Sequence, residues 1–202
     1  MQILDCTLRD GGYYNNWKFT KTQEQKYLKS ISSSGIQVLE LGFRFLKKNQ
    51  DYGMSWTIMR LSSLTDQIFI KALRIRTIQE KKTQLVGDDI SSEFKGIINY
   101  AIIGMIQLQI GDARVDELSV DEVNTWYDKY VAFAKETMEN KNHDYGEAWR
   151  DMSQESFADL IIMKLQRIKQ ILANDGKTIM SEGIDANYVD ILNYSVFALI
   201  LM

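Results

Sequence analysis

The sequence predicts a mainly α-helical protein built from two tandem copies of one helical unit, with a short βαβ segment before them. Two observations predict this fold class. The 202 residues include no proline, which is the residue that helix interiors exclude most strongly. In addition, the string KNQDYGMSW, ending at Trp56, returns 93 residues later as KNHDYGEAW, ending at Trp149. Chance recurrence does not produce so long a match, so the chain contains a duplicated unit.

The repeat extends through the rest of both copies. One residue is inserted in the second copy, where the spacing changes from 93 to 94. Because this period is longer than the 20–50 residues of a solenoid repeat, we expect each copy to be a small domain. The two copies are then expected to pack as an internal pseudo-dimer. The chemically notable matches are Lys71 with Lys164, Arg74 with Arg167, Asn99 with Asn193 and Tyr100 with Tyr194.

The predicted organisation has four parts. The first, residues 1–44, has the pattern of a strand over 2–8, a helix over 21–32 and a strand over 37–43. It differs in kind from the helical remainder. The other three parts are copy one without its first helix (45–110), a linker (111–118) and copy two (119–202).

Copy two is predicted to contain three helices. Ser119 with Glu122 forms a capping box that starts the first helix. This helix is expected to end near residues 140–142, before a DYG turn. The predicted starts of the second and third helices are Ser156 and Asp185, with Ser63 and Ser91 as their counterparts in copy one.

Composition and charge limit the cellular compartment and the classes of partner that we expect for this protein. Hydrophobic content of 45% and charged content of 25% are typical of a soluble globular chain. A net charge of −3 shows no global basic excess, so nucleic acid is not indicated as a partner. The single Cys6 suits a reducing cytoplasm. The most apolar stretch, residues 191–202, is shorter than the roughly 20 residues that span a bilayer, so no membrane partner is expected.

Residues 45–202 resemble the nucleotide modification associated domain family of bacteria and phages. The resemblance rests on KNxDYGxxW, on the Lys and Arg of KxxRI, and on an acidic run ending in Asn-Tyr. That run, Glu182 to Tyr194, is also similar to the third helix of MazG-type all-α NTP pyrophosphatases. The resemblance implies a nucleotide-binding protein, with Mg²⁺ as cofactor and Mg²⁺-dependent pyrophosphohydrolysis of a (d)NTP as its activity. It leaves a homodimer open.

Three acids of copy two, Glu182, Asp185 and Asp190, are candidate Mg²⁺ ligands because Mg²⁺ prefers carboxylate oxygens. Lys164 and Arg167 are three residues apart and share a helix face, where they would neutralise phosphate charge. Asp190, Glu182, Lys164 and Arg167 are therefore the candidate catalytic residues. Asp190 stands out because a buried acid in an apolar run needs a partner or a metal.

Structural roles compete with these assignments. Asp185 also suits a helix N-cap, and Asp66 and Asp159 stand where the acid of a capping box would stand. Asp190 aligns with Gly96, so copy one lacks that acid. Copy two is therefore the better candidate for the functional site, and copy one is expected to have a mainly structural role.

The repeated KNxDYGxxW string favours ligand binding, because its recurrence as a whole exceeds what a turn requires. Its Asp and Gly also suit a turn, and its Trp suits either a core or a surface on which a base stacks. The candidate nucleotide-binding residues are Asn142, Asp144, Tyr145, Trp149, Asn193 and Tyr194, with Lys71 and Arg74 from copy one.

Residues 1–44 resemble the start of the DRE-TIM metallolyases, among them the 4-hydroxy-2-oxovalerate aldolases. The resembling strings are LDCTLRDGGYYNNW and VLELGFR. The resemblance implies a TIM-barrel type of fold in which Asp10 binds a divalent metal and Arg9 stabilises an enolate. Such a barrel needs about 250 residues, and the pattern ends at Arg44. The family's His-x-His pair is also missing, since His143 is the single histidine.

Three functions are therefore alternatives. Nucleotide binding, with Mg²⁺-dependent hydrolysis, leads. A metal-dependent aldolase or lyase that uses Arg9 and Asp10 is the second. A non-catalytic helical interaction module is the third, and it predicts that the acids of copy two do not converge in space.

Overall fold

The structure is a computed structural model that describes residues 4–5, 38–39, 55–87, 89–111, 118–174, 176–177 and 182–202. The chain divides into two compact units, Met1–Ser55 and Trp56–Met202. The two repeat copies do not form separate units, because their described helices all lie in the second one.

The first unit contains a pair of short parallel strands, β1 (Leu4–Asp5) and β2 (Val38–Leu39). Leu4 lies opposite Val38, and Asp5 lies opposite Leu39. Both strands fall within the segments predicted as strands. The helix predicted over 21–32 and the candidate residues Arg9 and Asp10 lie outside the described residues.

The second unit contains five described α-helices. Two short 3-10 helices, Ser55–Ile58 and Ala148–Asp151, begin where the repeated tryptophans lie. The mainly helical, duplicated architecture is confirmed. The α-helices are α1 (Leu61–Lys81), α2 (Ile90–Ile110), α3 (Val120–Tyr145), α4 (Gln154–Ala173) and α5 (Ile184–Leu201).

Four of these helices form the core. Copy one contributes α1 packed on α2, and copy two contributes α4 packed on α5; across the copies, α1 packs on α4 and α2 on α5. In α1 and α4 the buried residues are mostly apolar and recur at 3–4-residue spacing, which is the pattern of a one-sided amphipathic helix. In α2 and α5 the burial extends over continuous runs, residues 101–106 and 187–193. The fifth helix, α3, packs on both α2 and α5. Fully buried residues of the core include Ile68, Ile75, Ile97, Ile161, Leu165 and Ile168.

Two ion pairs relate the copies by approximate two-fold symmetry. Lys169 Nζ lies 2.8 Å from Asp66 Oδ1, and Arg76 Nη1 lies 3.6 Å from Asp159 Oδ1. Asp66 and Asp159 are repeat counterparts, and so are Arg76 and Lys169, so each copy gives its acid to the other's base. This reciprocity is the mark of an isologous interface. The expectation that these two acids belong to capping boxes is wrong, because α1 and α4 begin at Leu61 and Gln154 and both acids lie beyond the first turn.

Helix boundaries differ from the predictions by a few residues. The Ser119–Glu122 capping box is confirmed. Helix α4, however, is capped by Ser153, whose hydroxyl accepts from the backbone N–H of Ser156. Helix α5 has Gly183 as its N-cap residue, so Asp185 lies inside the first turn rather than at the cap. On the copy-one side, Asp89 caps α2 and Arg60 precedes α1.

Helix α3 continues further than predicted. It runs through the KNHDY segment and ends only at Gly146, which has a φ of 63°. Glycine adopts this left-handed conformation without the steric penalty that other residues incur. The predicted DYG turn is therefore the last helical turn plus a glycine C-cap.

A buried hydrogen bond joins α1 to α5. The Tyr188 hydroxyl lies 2.9 Å from Thr65 Oγ1, and Tyr188 is fully buried. At the counterpart positions of the repeat, the pair is Phe94 and Ala158, both fully buried. Both polar partners are thus replaced together by apolar groups. A joint replacement of this kind leaves no buried polar group unsatisfied.

Burial raises the pKa of Tyr188 to about 12, although the hydrogen bond with Thr65 opposes the rise. In the unfolded chain a tyrosine ionises near pH 10. Between these values the unfolded state binds fewer protons, so stability falls as pH rises. We expect wild type to lose about 2–3 kcal/mol more unfolding free energy between about pH 10 and 12 than Tyr188→Phe. Urea titrations of both proteins at several pH values measure this; parallel pH profiles would contradict it.

Helix α5 is long and apolar enough to cross a membrane by length and composition, and it is the one such helix among the described residues. Of that window, 61% is buried inside the fold. Burial of this kind is compatible with the core helix of a soluble protein.

Candidate functional site

The buried carboxylate of Asp190 is the centre of a charged cluster in copy two. Asp190 lies in the middle of α5, and its side chain is only 8% exposed. Its Oδ1 lies 2.5 Å from Lys141 Nζ, and its Oδ2 lies 2.7 Å from Lys164 Nζ. The expectation that this acid needs a partner is met by two lysines from different helices, α3 and α4.

Lys164 connects two acids. Its Nζ lies 3.3 Å from Glu182 Oε2 in addition to the contact with Asp190. Burial by itself would lower the pKa of Lys164, but the hydrogen bonds and charges of Asp190 and Glu182 outweigh it and raise the pKa. Lys164 therefore stays cationic at neutral pH.

The lysines retain unused hydrogen-bonding capacity. An ammonium group has three N–H donors; Lys164 directs two of them to carboxylates, and Lys141 directs one to Asp190. Lys141 is half exposed. One helical turn along α4, Arg167 forms no ion pair or hydrogen bond with any described residue. The described contacts therefore leave N–H donors of both lysines available.

The predicted acids converge only in part. Glu182 and Asp190 meet at Lys164, whereas Asp185 is exposed in the first turn of α5 and forms no ion pair with any described residue. Across the described part of the chain, no three His, Cys, Asp or Glu side chains are grouped so as to hold a metal ion. A site made by the three predicted Mg²⁺ ligands alone is therefore not supported by this arrangement.

Tyr194 lies one turn beyond Asp190 on α5. Burial raises the pKa of its hydroxyl, the charge of Asp190 adds to the rise, and Lys164 and Lys141 oppose it. The phenol stays protonated at neutral pH and lies within electrostatic range of all three groups. It can serve as a neutral hydrogen-bond donor at the edge of the cluster.

Asn193 and its repeat counterpart attach α3 to the core. The amide of Asn193 donates to the carbonyl oxygen of Ala134 at 3.1 Å. In copy one, Asn99 accepts from the Tyr127 hydroxyl at 3.0 Å. Both bonds reach α3, two helical turns apart. The repeated asparagine thus has a structural use in each copy.

Trp149 is part of the core, with 7% of its surface exposed. Its ring stacks on Phe197, with centroids 4.3 Å apart and planes at 5°. The guanidinium carbon of Arg150 lies over the ring at 4.3 Å from its centroid, and the indole N–H donates to Asn142 Oδ1 at 3.1 Å. These contacts leave no open face for a base, so the expected stacking surface is not met. Asn142 likewise serves the packing.

The end of α3 presents the remaining motif residues to solvent. Tyr145 is 73% exposed, and Asp144 is exposed beside His143, whose Nδ1 lies 3.1 Å from Asp144 Oδ1. Residue-by-residue reasoning missed Lys141, which stands in the same string. A lysine stands at the head of both strings, as Lys48 in copy one and as Lys141 in copy two, and this recurrence is the signal that points to Lys141.

Copy one contains a different charge arrangement. Lys71 and Arg74 of α1 both bind Glu93 of α2, the lysine at 2.9 Å. Burial alone would raise the pKa of Glu93, but the hydrogen bonds and charges of these two cations outweigh it and hold the pKa below its usual value. The Lys71 side chain passes over Gly96, where an added Cβ would lie 2.9 Å from its Cε. Gly96 is the counterpart of Asp190.

Comparison with protein families decides the family of this chain. The model of nucleotide modification associated domain 1 matches residues 48–108 and again residues 141–202, together more than half of the chain. The chain belongs to the nucleotide modification associated domain 1 family. The two family segments start 93 residues apart and end 94 residues apart, which is the spacing of the repeat and its single insertion.

The two family segments contain every group of the charged clusters described above. Residues 1–47 lie outside both segments, so the resemblance of the N-terminal segment to metallolyases stays a prediction. No curated protein and no solved structure gives a significant match to the chain.

Proposed function

We propose that the protein binds a nucleotide at copy two, with the phosphate groups on Lys141, Lys164 and Arg167. The observation that carries the proposal is the convergence of Lys141 and Lys164 on the buried Asp190. Asp190 is a positioning residue here, because it holds two flexible cations in place before the ligand arrives. Preorganised cations bind phosphate with less loss of side-chain entropy.

Charge supports a phosphate-bearing ligand. The cluster contains three cations and two acids, Glu182 and Asp190, which leaves one positive charge in excess. Lysine serves phosphate as a point charge, and arginine can bind it through two parallel hydrogen bonds. Lys141 is the half-exposed cation of the cluster, and the neutral phenol of Tyr194 lies at the edge of the cluster, where a ligand would reach both.

Arg167→Gln tests the proposal most cleanly, because Arg167 has no described partner whose loss would destabilise the fold. Isothermal titration with a panel of (d)NTPs and (d)NMPs should show binding by wild type. We expect about tenfold weaker binding by Arg167→Gln, the effect of one charge-assisted contact. Lys135→Gln, on the exposed side of α3, is the matched control and should bind like wild type. The absence of binding by wild type to the whole panel would refute the proposal.

Mg²⁺-dependent pyrophosphohydrolysis is a second candidate. The observation in its favour is that Glu182 and Asp190 lie at one ammonium group. Mg²⁺ that arrives with a triphosphate needs only one or two protein carboxylates, so three protein acids are not required. We expect pyrophosphate release from a (d)NTP with Mg²⁺, and its loss in Asp190→Asn. Equal rates in wild type and in this variant would exclude the candidate.

A further inference from the structure

The lysine and the arginine that recur in both copies have different partners in the two copies. In copy one, Glu93 binds both Lys71 and Arg74. The counterparts of the cations are Lys164 and Arg167, but the counterpart of Glu93 is the neutral Asn187. Among the described residues, a carboxylate contacts both cations of this helix face in copy one, and in copy two it contacts Lys164 alone.

The amide of Asn187 does not take over the role of Glu93. Asn187 is fully buried, and its Nδ2 donates to the carbonyl oxygen of Gly183 at 2.7 Å. Its Oδ1 has no hydrogen-bond partner within the described part of the chain. Neither Lys164 nor Arg167 is therefore bonded to residue 187. Lys164 instead binds Asp190, one turn further along α5.

We propose that copy one holds a second phosphate-binding position, which its own Glu93 occupies in place of a ligand. This inference rests on the proposed function of copy two. Glu93 offers two oxygens to a lysine and an arginine on one helix face, as a phosphate would. Because Glu93 is part of the chain, its local concentration is far higher than that of a free ligand. The wild-type protein therefore binds one nucleotide per chain.

The two copies supply reciprocal substitutions for the test. Glu93→Asn gives copy one the residue of copy two and removes the competing carboxylate. Asn187→Glu gives copy two the residue of copy one and introduces that carboxylate. Glu136→Gln, on an exposed position of α3, is the control for the change in net charge.

Isothermal titration with ATP and with inorganic pyrophosphate measures stoichiometry and affinity in the full chain. We expect one site in wild type and in Glu136→Gln, and two sites in Glu93→Asn. Adding Lys71→Gln and Arg74→Gln to Glu93→Asn should return the count to one. Asn187→Glu should weaken the wild-type site at least about tenfold.

Each outcome separates the two proposals. One site in a folded Glu93→Asn, or two sites in wild type, overturns the inference but leaves nucleotide binding intact. Binding by Glu93→Asn but not by wild type supports the inference and refutes the proposed function of copy two. Circular dichroism shows whether Glu93→Asn folds. If it does not, the nucleotide affinity of Asn187→Glu tests the inference instead. An affinity equal to that of wild type overturns the inference.

Discussion

Replacing Lys164 by methionine is expected to lower the free energy of unfolding by about 3–5 kcal/mol, the cost of breaking a buried ion pair on one side. The side chains of Lys164 and Asp190 are 15% and 8% exposed. Methionine keeps the aliphatic volume but leaves the buried carboxylate with Lys141 alone. Urea denaturation of wild type and Lys164→Met measures the difference from the transition midpoints at equal slope.

A second substitution distinguishes a lost pair from a lost packing contact. Lys164→Met with Asp190→Leu removes both charges, and the half-exposed Lys141 can then return to water. We expect the double variant to recover most of the lost stability, since replacing both partners of a buried pair by apolar groups is often neutral. Lys135→Met, in an exposed pair with Glu139, should change stability by less than about 1 kcal/mol. An additive double variant would contradict the assignment.

Trp149→Ala is expected to cost about 3–5 kcal/mol, as for other large aromatic side chains removed from a core. The substitution removes the stack on Phe197 and the hydrogen bond to Asn142. Thermal and urea unfolding both measure this loss.

Trp149→Phe separates packing from ligand binding. It retains an aromatic ring against Phe197 but loses the indole hydrogen bond and part of the buried ring volume, so we expect a cost of about 2 kcal/mol, smaller than that of Trp149→Ala. Its nucleotide affinity should equal that of wild type, because the ring is already covered by core contacts. A folded Trp149→Phe with strongly reduced affinity would restore the idea that a base stacks on this residue.

The helical part of the fold was largely predictable, because its signals are local and periodic. The Ser119–Glu122 capping box and the apolar spacing of the core helices appear directly in the sequence. The predicted start of α4 at Ser156 was wrong by a few residues, because Ser153, three positions earlier, is an equally good cap residue and takes that place. The end of α3 was misplaced because a helix can include polar residues such as Asn142 until a glycine stops it.

The candidate site was predictable only in part. The position of Asp190 in an apolar helix showed that it needed a partner, but the sequence did not show which one. Lys141 is 49 positions away along the chain, and only the packing of α3 against α5 brings it to the carboxylate. Trp149 fitted both a core and a ligand surface until the contacts with Phe197 and Arg150 decided between them.

The sequence by itself determined the duplication, the helical class and the family, because these depend on residue order and periodicity alone. Only the tertiary structure decided how the two copies use the same basic residues. Ion pairing depends on distance in space. Lys71 pairs with Glu93 of α2, whereas its counterpart Lys164 pairs with Asp190 of α5. Asp190 stands at the position that Gly96 occupies in copy one. A proline-free chain predicts helices, but the packing of those helices determines which charges are neutralised within the fold.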